Sequence, residues 1–164
     1  MDMRCGDRRQ DENPVAVREF ELCEACEIVG SCRQGIDDLR RQADGTVRGE
    51  IVVPSAVAGR AVAHGGWTAW VFDELLGYTA NSLRGFSVTA ELAVKYRRPV
   101  PLGARVVLTA SGRMDGERRR LMRGEMRCVD TGGLLASAEG VWIELADADA
   151  HYARATARPQ KTSL

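Results

Sequence analysis

The chain has 164 residues, 23 basic and 23 acidic side chains, a formal net charge of zero and 45% hydrophobic residues. That is enough for one globular domain with a sizeable core, and it lacks the basic excess of a nucleic-acid binder. The longest apolar run is broken by Asp73 and Glu74, too short to span a bilayer, and the charged stretch from Met1 to Asn13 does not read as a signal peptide, so no membrane association and a cytoplasmic location are expected.

In chain order, residues 1–14 read as a flexible polar arm, 15–146 as a single domain and 147–164 as a tail. Val15 to Leu39 is mixed, with room for a short helix around Phe20 to Ile28. It holds Cys23, Cys26 and Cys32, three of five cysteines. An odd total does not suit a disulfide scaffold, and a four-ligand zinc site would need Cys5, His151 or another side chain as its fourth ligand. Reduced thiols on a loop are the plainer reading, and no metal is expected. Thr46 to Val53, entered from the turn Asp44-Gly45 and stopped by Pro54, is β-branched and reads as a strand. Ser55 to Val62 reads as a loop.

Gly65 to about Ser82 reads as the one long helix: Trp67, Trp70, Val71, Leu75 and Tyr78 recur at three- and four-residue spacing, with Phe72 and Leu76 widening the apolar surface. Apolar nearly all round, it is expected to be buried. Asn81, Ser82 and Gly85 end it. Val88, Ala90, Leu92, Val94 and Tyr96 then alternate with Thr89, Glu91, Ala93, Lys95 and Arg97, a strand of period two. After the break at Pro99 to Gly103 come strands over Arg105 to Met114, Arg118 to Val129 (with Cys128 in the core) and Leu134 to Leu145. Turns at Asp115-Gly116 and Asp130 to Gly133 join them. From Ala146 the chain reads as a loose tail or marginal helix. Strands grouped apart from one buried helix indicate an α+β domain, the helix wrapped by a curved antiparallel sheet.

The chemistry concentrates between His64 and Glu74. Gly65 and Gly66 allow close backbone approach, and the free N–H groups of a helix N-terminus bind a partly negative oxygen. Asp73 lies among Trp70, Val71, Phe72, Leu75 and Leu76, where desolvation disfavours its charged form and suits a base or nucleophile. Glu74 points about 100° away on the helix and is the second choice. His64, at a helix N-terminus, is expected as a neutral ring that orients the loop or a ligand. Lys95, Arg97, Arg98 and Arg118 to Arg120 are a solvated face or a grip on phosphates.

These residues resemble the hotdog-fold acyl-CoA thioesterases, in the branch related to phenylacetate-degradation and 4-hydroxybenzoyl-CoA thioesterases. The matching blocks are His64-Gly65-Gly66, Asp73-Glu74, Gly77, the run from Thr89-Ala90-Glu91-Leu92 through Val94, Tyr96, Arg98-Pro99 and Pro101 to Gly103, and Ala136-x-Ala138-Glu139-Gly140-Val141. They span roughly Gly45 to Leu145; the Cys23–Cys26 pair looks like a decayed N-terminal element of some relatives. The resemblance implies a hotdog fold and hydrolysis of an acyl- or aryl-CoA thioester without metal or redox cofactor. In that scheme Asp73 is base or nucleophile, the Gly65 N–H, ahead of Gly66, stabilises the oxyanion, and Thr89 places the attacking group. Trp67 and Trp70 line an acyl pocket or pack in the core, and Arg97 and Arg98 hold the phosphates of coenzyme A. It also implies a homodimer joined edge to edge, or a dimer of dimers, with Asp73 facing the neighbour's His64-Gly65-Gly66 loop. One departure stands out: where relatives carry Asn or Gln six residues before the histidine, this chain has Ala58. Ser55 is the nearest substitute, and a non-catalytic hotdog protein that binds acyl-CoA is the alternative. A hydratase would show a different His/Asp motif.

Overall fold

A computed structural model describes residues 35–156. The hairpin of β1 (Asp37–Arg41) and β2 (Val47–Val52) turns at Asp44-Gly45. There Thr46 donates from both N and Oγ1 to Asp44 Oδ1, at 2.9 and 2.7 Å, and Gly45 takes φ +83°, a backbone that glycine adopts without strain. A single 3-10 turn, Ser55–Val57, leads into a narrow loop. That loop is closed by the Gly59 N–H on the Val62 carbonyl (2.7 Å) and the His64 N–H on the Val57 carbonyl (2.8 Å). Then follow α1 (Gly65–Leu83), β3 (Ser87–Tyr96), β4 (Arg105–Asp115), β5 (Arg119–Cys128), β6 (Leu134–Glu144) and α2 (Ala148–Thr156). The six strands form one antiparallel sheet in the order β1-β2-β4-β5-β6-β3. This is the expected hotdog arrangement of one long helix against a single sheet.

α1 sets Trp67, Val71, Phe72, Leu75, Leu76 and Ala80 against Val47, Ile51, Val106, Leu108, Met122, Met126, Ala136, Ala138 and Trp142 of the sheet. Full burial of side chains such as Phe72 and Leu75 contributes about 1.5–3 kcal/mol each. Gly124 lets the helix approach: a Cβ there would lie 3.0 Å from Leu76 Cδ2 and 3.2 Å from the Thr109 carbonyl oxygen.

Three expectations change. The helix is not buried all round: one face is covered, whereas Trp70 is 49% exposed and Asp73, Glu74, Gly77 and Tyr78 are only partly buried. One chain supplies a single sheet face, which covers only one side of a helix. Secondly, β1, unread in the sequence, lengthens the sheet. Thirdly, β3 is not a uniform alternation. Thr89 pairs with Trp142 but Glu91 pairs with Val141, so Ala90 is an extra residue in the ladder, a β-bulge. The region after Ala146 contains α2, and Tyr152 meets Phe86 edge-on at 6.2 Å. Cys128 is partly buried against the core. The arm over 1–14, the Cys23/Cys26/Cys32 cluster, the short helix around Phe20 to Ile28 and residues 157–164 of the tail lie outside the described residues. Among the described residues no helix is long and apolar enough to cross a membrane.

Candidate active site

The first turn of α1 is capped by its own histidine. His64 sits just before the helix with extended backbone, and its Nδ1 accepts the Gly66 N–H at 3.0 Å, as capping side chains do. An accepting Nδ1 carries no proton, so the neutral ring bears its hydrogen on Nε2. Gly66 suits this contact, since a Cβ there would crowd the ring at 3.0 Å from Nδ1. The His64 carbonyl takes the Trp67 and Thr68 N–H groups at 3.0 and 3.3 Å. Of the first-turn donors, the Gly65 N–H alone has no acceptor among the described residues. It points from the positive end of the helix.

Beside this end is an open cavity of about 450 Å³, lined by Ala56, Val57, Ala58, His64, Gly66, Trp67 and Trp70. Its walls are two indoles, small aliphatic side chains and one imidazole. Ala58 presents a methyl group here, and Ser55 is not among the lining residues.

Two turns along α1, Asp73 Oδ1 accepts a 2.7 Å hydrogen bond from Thr89 Oγ1 of β3. The bulge makes this contact possible. Paired residues share a face of the sheet: Trp142, Ala138 and Ala136 point into the core, so their partners Thr89, Val94 and Tyr96 point to the helix side. Were Ala90 a regular member of the ladder, the period of two would put Thr89 on the opposite face from Leu92, Val94 and Tyr96. Gly140 accommodates the bulge, because a Cβ there would come within 2.5 Å of the Glu91 carbonyl oxygen. No other group among the described residues bonds the Asp73 carboxylate, so Oδ2 is available to solvent. Glu74 is partly buried one position further round the helix.

Tyr96 had no role assigned from the sequence beyond its place in the motif. Its Oη donates to the Gly65 carbonyl at 2.9 Å. The signal was present in its parity with Leu92 and Val94, both packed on the core. Arg97 and Arg98 follow at the same end of β3, both exposed; the Arg98 guanidinium lies over Gly133 in the β5–β6 turn. Arg118 and Arg120 are spent elsewhere. Arg118 donates to the Glu144 carbonyl, and Arg120, fully buried, bonds the Ala80 and Gly85 carbonyls and the Glu144 carboxylate. Neither reads as a solvated grip on phosphate.

Gly65 and Asp73 are eight residues apart, about 12 Å along a helix axis. Within one chain they cannot both touch one carbonyl group.

Residues 61–136 match the model of the thioesterase superfamily. Among solved structures, a thioesterase superfamily protein is 30% identical with a TM-score of 0.60, the match covering 64% of this chain and 54% of that one. This chain thus spans about half the length of that relative. The PaaI protein of the Escherichia coli phenylacetic acid degradation operon is 21% identical (TM-score 0.64, 76% and 86% of the two chains). The Streptococcus mutans UA159 protein smu.793, solved bound to acetyl CoA, is 17% identical (TM-score 0.62, 77% and 93%). No curated protein matches. The shared architecture is that of the hotdog fold, and the stretch from 61 to 136 is similar to the thioesterase superfamily.

Proposed function

We propose that the protein hydrolyses an acyl- or aryl-CoA thioester to the free acid and coenzyme A. The observation that carries this reading is the Thr89–Asp73 hydrogen bond, which holds one carboxylate oxygen and leaves the other open. A carboxylate so held can take a proton from water as the water oxygen attacks the thioester carbon; alternatively it attacks that carbon itself to give an anhydride that water then opens. The carbonyl oxygen gains charge against the Gly65 N–H, a donor of the kind whose removal costs about 10²–10³ in rate. Collapse expels the CoA thiolate, which takes up the proton. Base, oxyanion donor and water complete the proton and charge balance, so the scheme needs no metal or redox cofactor. Trp67 and Trp70 hold the acyl or aryl group, and Arg97 and Arg98 pair with phosphates at the mouth.

The 12 Å between Gly65 and Asp73 is bridged by a second copy. Among the described residues β3 is a ten-residue edge strand with an unpaired outer side, a feature that proteins cover by pairing. Antiparallel pairing of two β3 strands about a two-fold axis brings the Thr89–Asp73 end of one protomer beside the Tyr96–Gly65 end of the other. The working unit is then a homodimer, alone or paired again.

One feature favours a second reading, a hotdog protein that binds an acyl-CoA without turning it over: Ala58 puts a methyl group in the cavity wall where relatives carry an amide. Thiol release from a panel of acyl- and aryl-CoA esters separates the two. The expected result is turnover that falls about 10²–10⁴-fold in Asp73→Asn, the range for loss of a general base, with KM little changed. Tight binding of the same esters without thiol release selects the second reading.

A further inference from the structure

We infer that Tyr96 is a positioning residue, which through the Gly65–Gly66 peptide aims the Gly65 N–H and fixes the His64 ring with Nε2–H toward the cavity. The inference rests on the thioesterase reading only for the role of that N–H.

Gly65 has no Cβ to restrict its dihedral angles, yet an oxyanion donor works only if its direction is set in advance. The peptide before Gly65 is clamped at its oxygen, the His64 carbonyl, by two helix N–H groups. The peptide after it is clamped at both ends: Tyr96 Oη donates to its oxygen at 2.9 Å and its N–H donates to His64 Nδ1 at 3.0 Å. The three groups form one chain, hydroxyl to carbonyl, N–H to imidazole. A donor on a peptide oxygen makes the same peptide's N–H a stronger donor. Tyr96 thereby strengthens the bond that keeps the proton off Nδ1 and on Nε2, the ring atom left to face a ligand. Its aromatic ring also lies against Gly65, 3.5 Å from where a Cβ would stand.

Tyr96 is 56% exposed, a large aromatic left open on an edge strand. In a β3-paired dimer the strand that joins the subunits is the strand that holds the peptide next to the oxyanion donor. Pairing and alignment of the donor are then coupled through one hydroxyl group.

Tyr96→Phe keeps the ring and removes the hydroxyl. In protein carrying ¹⁵N-labelled histidine, the expected result is a shift of the His64 ring nitrogens toward the Nδ1–H tautomer, with faster hydrogen exchange at the Gly66 amide and an unchanged melting temperature. kcat should fall about two- to tenfold, the equivalent of one hydrogen bond, with KM unchanged. Ring nitrogen signals identical to wild type would overturn the inference, whatever the activity. If wild type releases no thiol from any ester, the thioesterase reading fails while the ring signals still decide the role of Tyr96.

Discussion

At its C-terminal end α1 runs into a buried cation, whereas at its N-terminal end it opens onto a cavity through a glycine. Arg120 Nη1 donates to the Ala80 and Gly85 carbonyls at 3.0 and 3.2 Å, its Nη2 to Glu144 at 2.9 Å, and Arg41 reaches the Ser82 carbonyl at 3.4 Å. The last turn's acceptors are therefore answered by fixed positive charge, which the helix dipole favours. The depression there, about 390 Å³, is lined by Arg84, Glu117, Arg118, Glu144 and Ala146, of which Arg84, Arg118 and Glu144 are already bonded to one another or to backbone. At the opposite end the donors are answered by His64 and by the helix itself, except the Gly65 N–H. The difference separates a terminus built for rigidity from one that keeps a backbone N–H open to a ligand.

The contrast breaks most severely at Arg120. Arg120→Ala leaves two backbone carbonyls and Glu144 without their main partner, and loss of one member of a buried pair costs about 3–5 kcal/mol. Arg84, 3.5 Å from the same carboxylate, keeps the expected loss near the lower figure, measured as a reduced urea midpoint. Arg120→Met combined with Glu144→Gln should lose less than Arg120→Ala alone, because no charge is stranded. A loss in Arg120→Ala within 1 kcal/mol of zero would show that the cation holds nothing.

An intermediate effect belongs to the bulge that serves the open half of the helix. In Gly140→Ala the new methyl meets the Glu91 carbonyl oxygen and the Trp142 ring, at 2.5 and 2.6 Å from the ideal Cβ, and the backbone oxygen cannot swing aside. About 1–3 kcal/mol of destabilisation is expected, as for other overpacked sites. Thioester turnover should fall further than stability explains, as Thr89 is carried off Asp73. Gly112→Ala is the control: its methyl meets chiefly the thioether end of Met122, a flexible side chain, so turnover should be retained. Equal effects on turnover from the two substitutions would detach the bulge from the site.

Where the sequence was legible, the determinants are local. The three- and four-residue spacing of Trp67, Val71, Leu75 and Tyr78 locates α1 to within a residue, and the turns at Asp115-Gly116 and Asp130 to Gly133 fall between the strands they were expected to join. The His64-Gly65-Gly66 and Asp73 groupings were visible for the same reason. What escaped depends on residues far apart in the chain. The Ala90 bulge needs room at Gly140 on β6, Tyr96 meets Gly65 across 31 positions, and Arg120 finds the end of a helix 40 positions earlier. Thr89 is the instructive case, since strict alternation assigns it to the outer face although its chemistry requires the inner one. Arg120 was within reach: it shares parity with Met122, Gly124 and Met126, all buried. β1, five residues of sequence DDLRR with Asp38 at φ +51°, has no apolar alternation to announce it.

The smallest effect is also the most discriminating about the open end. His64 does two separable things: Nδ1 caps the Gly66 N–H, and the ring, with its Nε2–H, helps line the cavity. His64→Ala removes both, and loss of a helix cap costs about 1 kcal/mol. His64→Asn restores an acceptor at the cap, so thermal unfolding should return to within a few tenths of a kcal/mol of wild type. The shorter amide does not put a donor where Nε2–H stood. Thiol release should therefore stay depressed in His64→Asn even as stability recovers. Recovery of both together would reduce His64 to a cap, leaving the Gly65 N–H, among the described residues, to meet a thioester at this end of the helix.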